Sequence, residues 1–126
     1  AVAAAGPARA VVAVPKTEPV RDESYRRLVA SLPCVVCGVF GFSQCAHRDE
    51  GKGMASKQDD RESYPACCTR PGEPGCHHRI GTAREFPKAV RRELELLWCA
   101  STRAKLRKLA ETDASARVIV QRVIGL

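Results

Sequence analysis

Between Cys34 and His78 the chain gathers six of its seven cysteines and all three of its histidines. They fall in a fixed order: Cys34-Val-Val-Cys37, Cys45-Ala-His47, Cys67-Cys68 and Gly75-Cys76-His77-His78. Thiolate and imidazole are ligands that zinc prefers, and two cysteine pairs at short spacing can close one tetrahedral site. A segment that must bring such pairs together has to double back through turns and short strands. The Gly and Pro residues between positions 33 and 81 agree with that and argue against helix there.

The remaining numbers make a staple useful. The chain has 126 residues, of which 44% are apolar but only 5% aromatic. A core of Ala, Val and Leu is thin at this size, so a structural metal helps to hold one small domain together. An odd count of seven cysteines fits metal-bound thiolates in a reducing cytoplasm better than a disulfide framework. The early apolar run Ala10–Val14 is short and bounded by Arg9 and Pro15, so no secretory leader is expected. No stretch approaches the roughly 20 apolar residues that span a bilayer, and no membrane partner is expected. The formal charge of +7 draws phosphate backbones or other polyanions; its plainer reading is a solubilising surface.

Periodicity places the elements. Pro7, Pro15 and Pro19 break up residues 1–20, which read as a flexible N-terminal arm. Tyr25, Leu28, Val29 and Leu32 recur on one face of a helix over 22–32, capped by Asp22 or Ser24 and stopped by Pro33. Val39–Ala46 reads as a short strand or hairpin, and Ser63–Ala66 as a second strand entering the cysteine cluster. Residues 87–111 return to a helical period, as one helix or as two joined near Ser101. Val90, Leu94, Leu97 and Trp98 would share its apolar face, with Leu106 and Leu109 continuing it. Residues 113–126 close the chain as a helical segment, although Val118-Ile-Val120 is β-branched. The zinc-stapled domain then covers residues 21–112.

The expected staple is Cys34, Cys37, Cys67 and Cys76. Cys67 is preferred to Cys68, since adjacent cysteines point in different directions. The eight residues between Cys67 and Cys76 are accommodated if Pro71-Gly-Glu-Pro-Gly75 loops out. A Cys₃His set using His77 or His78 is the alternative. Cys45 and Cys99 are expected as ordinary buried thiols. His47 and His77 are then left for other work, or His47 simply hydrogen-bonds within the knot. Phosphodiester hydrolysis needs a base for water, charge stabilisation at phosphorus and cations on the backbone. This segment carries candidates for each.

One further pattern is Cys34-x-x-Cys37, Ala46-His47-Arg48, Gly51-Lys-Gly-Met-Ala-Ser-Lys57, Asp59-Asp60, Pro65-Ala-Cys67 and Gly75-Cys-His77. It resembles the HNH (His-Asn-His, ββα-metal) endonucleases, and within them the small prophage-encoded nucleases of the YbcO type. The resemblance covers roughly residues 22–108. It implies an α+β fold: a small zinc-stapled ββα-metal core flanked by an N-terminal helix and C-terminal helices. It implies a metal-dependent endonuclease acting on DNA, with a structural zinc and a catalytic divalent ion (Mg²⁺, Mn²⁺, Ni²⁺ or Zn²⁺). His47 would be the general base, His77 a ligand of the catalytic ion, and Arg48, Lys52 and Lys57 contacts to the phosphate backbone. An alternative makes His47 itself a metal ligand, and Arg48 could instead pair with Asp49 or Glu50. The chain has no Asn, so Asp60 or Glu62 takes the middle position of the motif. Ala46 stands where the family often has a metal-binding Asp or His, and Gly81 where the subgroup has Asp. The basic helix offers few side chains suited to reading bases, so little sequence specificity is expected. The rival expectation is a zinc-stabilised DNA-binding module without cleavage.

Overall fold

The computed structural model describes residues 18–48 and 58–126. Lys52, Lys57 and the glycine-rich loop around them lie outside the described residues, as does residue 1–17 of the expected arm. The architecture is mixed α+β: helix α1 (Glu23–Ala30), strands β1 (Ser43–His47) and β2 (Ser63–Cys67), then helices α2 (Cys76–Gly81), α3 (Lys88–Ala110) and α4 (Ala114–Val123). No described helix is long and apolar enough to cross a membrane.

α1 starts where its sequence says. The Asp22 side chain accepts the N–H of Tyr25 at 2.9 Å, satisfying one donor that a helix start leaves open. Arg122 of α4 clasps the same carboxylate at 2.9 and 3.1 Å, which ties the far end of the chain to this cap. Tyr25 and Val29 are buried against Leu106, Ala110, Val120 and Val123, with Leu28 and Leu32 partly buried beside them. The expected face of α1 is therefore the one used.

β1 and β2 pair antiparallel, with Ser43 opposite Cys67 and His47 opposite Ser63. Strand alternation sends Ala46, Tyr64 and Ala66 into a cluster with Ile80 and Cys99. Cys45 points to the other side, onto the α1 cluster. The hairpin is thus covered by α1 on one face and by α2 and α3 on the other. β1 begins later than Val39 because the chain is still closing a knuckle there. The Val39 carbonyl accepts the Cys34 N–H at 2.9 Å, and Gly41 sits at φ +93°, left-handed backbone that interrupts a strand.

α3 is continuous through Ser101, and its buried face matches the expected one at Leu106 and, partly buried, at Trp98, but not at Val90 and Leu97. Glu95, Cys99, Thr102, Leu106 and Ala110 face inward, while Val90, Leu96 and Leu97 are 45%, 50% and 66% exposed. The reason lies in the surface they meet. The hairpin offers a tyrosine hydroxyl and small alanines, so the helix approaches it with small or polar side chains. Tyr64 donates its hydroxyl proton to the buried Glu95 carboxylate, and Arg91 pairs with the same carboxylate at 3.4 Å. That pairing makes the burial of a charge tolerable. Trp98 packs at 5.2 Å from the Tyr64 ring.

The β-branched run in α4 stays helical because both ends are capped. Asp113 accepts the Ala116 N–H at 2.9 Å. Arg107 donates to the carbonyls of Ile124 and Gly125 at 3.0 Å each, groups a helix end would otherwise leave open. α4 packs into the same cluster as α1 and α3.

Candidate metal centre and histidine site

The cysteine cluster is assembled by three short pieces of backbone. Cys34–Cys37 forms a knuckle in which the Gly38 N–H donates to the Cys34 carbonyl at 2.9 Å, with Gly38 at φ +81°. A side chain there would be strained. The Val35 N–H donates to the Pro65 carbonyl at 2.9 Å, which fastens the knuckle to β2. Cys67 ends β2, and Cys76 opens α2. Gly75 makes that approach possible: a Cβ on it would come within 2.3 Å of the Cys68 carbonyl carbon and 2.4 Å of the Cys67 oxygen.

The result is a four-sulfur group, Cys34, Cys37, Cys67 and Cys76, whose sulfurs all lie within 4.8 Å of one another. Among the described residues it is the only group of three or more possible metal ligands. Zinc about 2.3 Å from four tetrahedral sulfurs would set them about 3.8 Å apart. The Cys37 and Cys67 sulfurs are 3.8 Å apart. The donor chemistry also fits a cation. Burial resists ionisation of Cys34, yet the N–H groups of Cys37, Val36 and Cys67 bring its thiol down to about 7. Burial pushes Cys67 and Cys76 up, and the Cys34 charge adds to both shifts. Four thiolates at this spacing repel unless a cation sits among them. Cys67 also receives the Cys76 N–H at 3.3 Å and a guanidinium N–H of Arg70 at 3.7 Å. The cluster is thus compatible with a structural metal such as zinc, in the Cys₄ form. Cys68, Cys45 and Cys99 stand outside it; burial pushes the Cys99 thiol up to about 12.

His47 ends β1, on the α1 side of the hairpin. Its Nε2 lies 2.8 Å from Oδ1 of Asp60, which is wholly buried. The other carboxylate oxygen accepts Arg26 Nη1 and the Asp22 N–H, both at 2.6 Å, and Arg21 lies 3.7 Å from Oδ1. Burial works against the charge on Asp60, but the Asp22 N–H, His47 and Arg26 outweigh it and hold the carboxyl below its ordinary value. An ionised acceptor there keeps the proton of a neutral His47 on Nε2 and leaves Nδ1 as the basic nitrogen. Only 11% of the His47 side chain is accessible.

His77 stands in the first turn of α2. Its Nδ1 is 2.9 Å from Gln44 Oε1 on β1, so Nδ1 carries the proton and Nε2 keeps a lone pair, as a metal-binding imidazole requires. Burial, then the charges of His47 and Arg91, lower its pKa. Strand alternation sets Gln44, and His77 with it, on the face that carries Ala46, whereas His47 lies with Cys45 on the α1 face. His77 alone does not make a metal site, and it belongs to no group of three or more possible ligands among the described residues.

Of the remaining sequence candidates, the described ones, Arg48 and Glu62, are occupied. Arg48 donates to Glu62 at 3.0 Å, and Arg103 donates to the second Glu62 oxygen at 2.8 Å. Glu62 is a partner for Arg48 that the sequence reading did not weigh. The anchors of Asp60, namely Arg26 and the Asp22 N–H, were also missed, because nothing local connects positions 22 and 26 to position 60. Comparison of the chain with family models, with curated proteins and with solved structures gives no match.

Proposed function

We propose that the chain is a metal-dependent endonuclease of the HNH type that hydrolyses phosphodiester bonds in DNA with little sequence specificity, in a phage or prophage setting. One observation carries this reading: an imidazole at the end of strand β1, oriented by a buried carboxylate at 2.8 Å. The order β1, β2, α2 is the order a ββα-metal core requires. Asp60 is in the middle stretch of the motif, but as the partner of His47 rather than as a separate ligand.

In this reading His47 takes a proton from water at Nδ1, and the oxygen adds to phosphorus as the bond to the 3′ oxygen breaks. Asp60 holds the ring and stabilises the imidazolium that forms, as the carboxylate does in other acid–histidine pairs. A divalent ion at His77 Nε2 would supply charge stabilisation at the phosphate. Cys34, Cys37, Cys67 and Cys76 would hold the structural metal, which would fasten α2, and with it His77, to the end of β2.

The test uses the zinc-loaded chain with Mg²⁺, Mn²⁺ or Ni²⁺ on plasmid, single-stranded and branched DNA. Cutting is expected, and His47→Ala should abolish it while the fold and zinc content stay. Failure of the wild-type chain to cut any of the three substrates with any of the three ions sinks the reading. The low accessibility of His47 and the single ligand at His77 favour a second reading, a zinc-stabilised DNA-binding module without turnover. Its signature is salt-sensitive DNA binding and no cleavage under any metal.

A further inference from the structure

A basic pocket opens at the start of α3. Arg84, Phe86, Lys88, Arg91 and Arg92 line a cavity of about 270 Å³. Four of the five lining residues are cations and none is acidic. Glu85, the acid within this stretch, is drawn onto Arg79 at 2.9 Å, away from the lining. α3 begins after Pro87 without a side-chain cap and with no acidic residue in its first turn; Glu95, one turn further on, pairs with Arg91.

The pocket is built rather than incidental. Phe86 forms one wall, and its ring is fixed edge-on to Trp98 with 6.2 Å between centroids. Arg91 is held in place by the buried Glu95. Arg84 is the one described residue other than glycine with a positive φ, at +51°. A side chain in left-handed backbone is strained, and such strain collects where a side chain has to be aimed.

We propose that this pocket binds one phosphate group of a DNA strand. The proposal rests on the reading of the chain as one that acts on DNA. Guanidinium forks match phosphate oxygens in pairs, and an ammonium adds a point charge. One phosphate in the cavity anchors the strand on the protein, with no information about base identity.

The experiment measures binding of the zinc-loaded full chain to a labelled single strand and to its duplex, as a function of salt. Lys88→Gln with Arg92→Gln should reduce the salt slope by about 0.7 on the single strand and about 0.9 on the duplex, one phosphate contact in each case. Lys105→Gln, further along α3, should leave the slope as it is. Arg84→Gly separates ligand binding from folding. Glycine accepts the left-handed backbone, so Tm should rise while DNA affinity falls about tenfold.

An unchanged slope and affinity in these variants, with a wild-type chain that binds and cuts DNA, overturns the pocket and leaves the nuclease reading standing. Binding without cleavage, with the slope reduced as expected, does the opposite. A mononucleotide that binds as tightly as the strand overturns the strand assignment. No DNA binding at all by the wild type overturns both.

Discussion

Asp60 and His47 meet at the connected end of the hairpin, with Oδ1 of the carboxylate 2.8 Å from Nε2 of the imidazole. The carboxylate is itself pinned by Arg26 and by the Asp22 N–H, so helix α1 sets the angle of a ring on β1. If His47 is a base, Asp60→Asn should leave DNA binding intact and lower the cleavage rate by about 10²-fold or more, since the amide neither fixes the proton on Nε2 nor stabilises the imidazolium. Single-turnover cleavage beside equilibrium binding separates the two effects. Equal losses in both would mean that Asp60 acts only on the fold.

The same carboxylate makes a pH prediction. Its folded pKa lies below the ordinary value of 3.8. A depressed carboxyl contributes stability above its unfolded pKa and loses it as the pH falls through the folded one. The stability gap between wild type and Asp60→Asn should therefore close below about pH 4. Urea unfolding at each pH measures it, and proton competition at the thiolates cancels in the difference. A gap that persists at full size to the lowest pH contradicts the charged network.

Much of this was legible in the residues, and the parts that were not share a physical cause. The two cysteine pairs, the cap at Asp22 and the two strands follow from local chemistry: ligand spacing, a side chain that accepts its own helix's N–H, and a run of residues between turn formers. The orientation of α3 does not. Val90, Leu94 and Leu97 form a helical stripe in the sequence, but the surface they would have to meet is chosen by Tyr64, Ala46 and Ala66 on strands far away in the chain. Arg26 and Asp60 are likewise joined only by the fold, as are Arg84 and Arg92 in the basic pocket. Ligand identity is written locally, whereas second partners are written in the packing.

The staple can be tested by removal. The zinc-loaded chain should carry one zinc, released by thiol modification and read with a chromogenic chelator. Cys34→Ser, Cys37→Ser, Cys67→Ser and Cys76→Ser should each lower the zinc content and unfold the hairpin region, because a structural zinc contributes folding energy directly. Cys68→Ser should keep both zinc and fold, as its sulfur stands outside the cluster. Zinc loss in Cys68→Ser alone would reassign the second pair.

Gly75 offers a test that touches no ligand. A Cβ at this position would lie 2.3 Å from the Cys68 carbonyl carbon and 2.5 Å from the Thr69 nitrogen, backbone atoms that cannot swing aside. Gly75→Ala should displace Cys76 and weaken zinc retention against a competing chelator, although all four thiols remain. An alanine variant that holds zinc as wild type does would show that α2 can stand further from β2 than this geometry allows.

The two faces of α3 give the cleanest contrast, because one kind of residue occupies both. Leu106 is fully buried beside Tyr25 and Val120, and Leu97 is 66% exposed. Leu106→Ala removes packed methyl groups and leaves a cavity, a loss of about 3 kcal/mol. Leu97→Ala takes away surface that already meets water, so its effect should stay within about 0.5 kcal/mol. Urea unfolding of both zinc-loaded variants decides the matter. Were Leu97→Ala the more damaging, the helix would be turned with its leucine stripe inward, and Glu95 would have to leave the side of Tyr64.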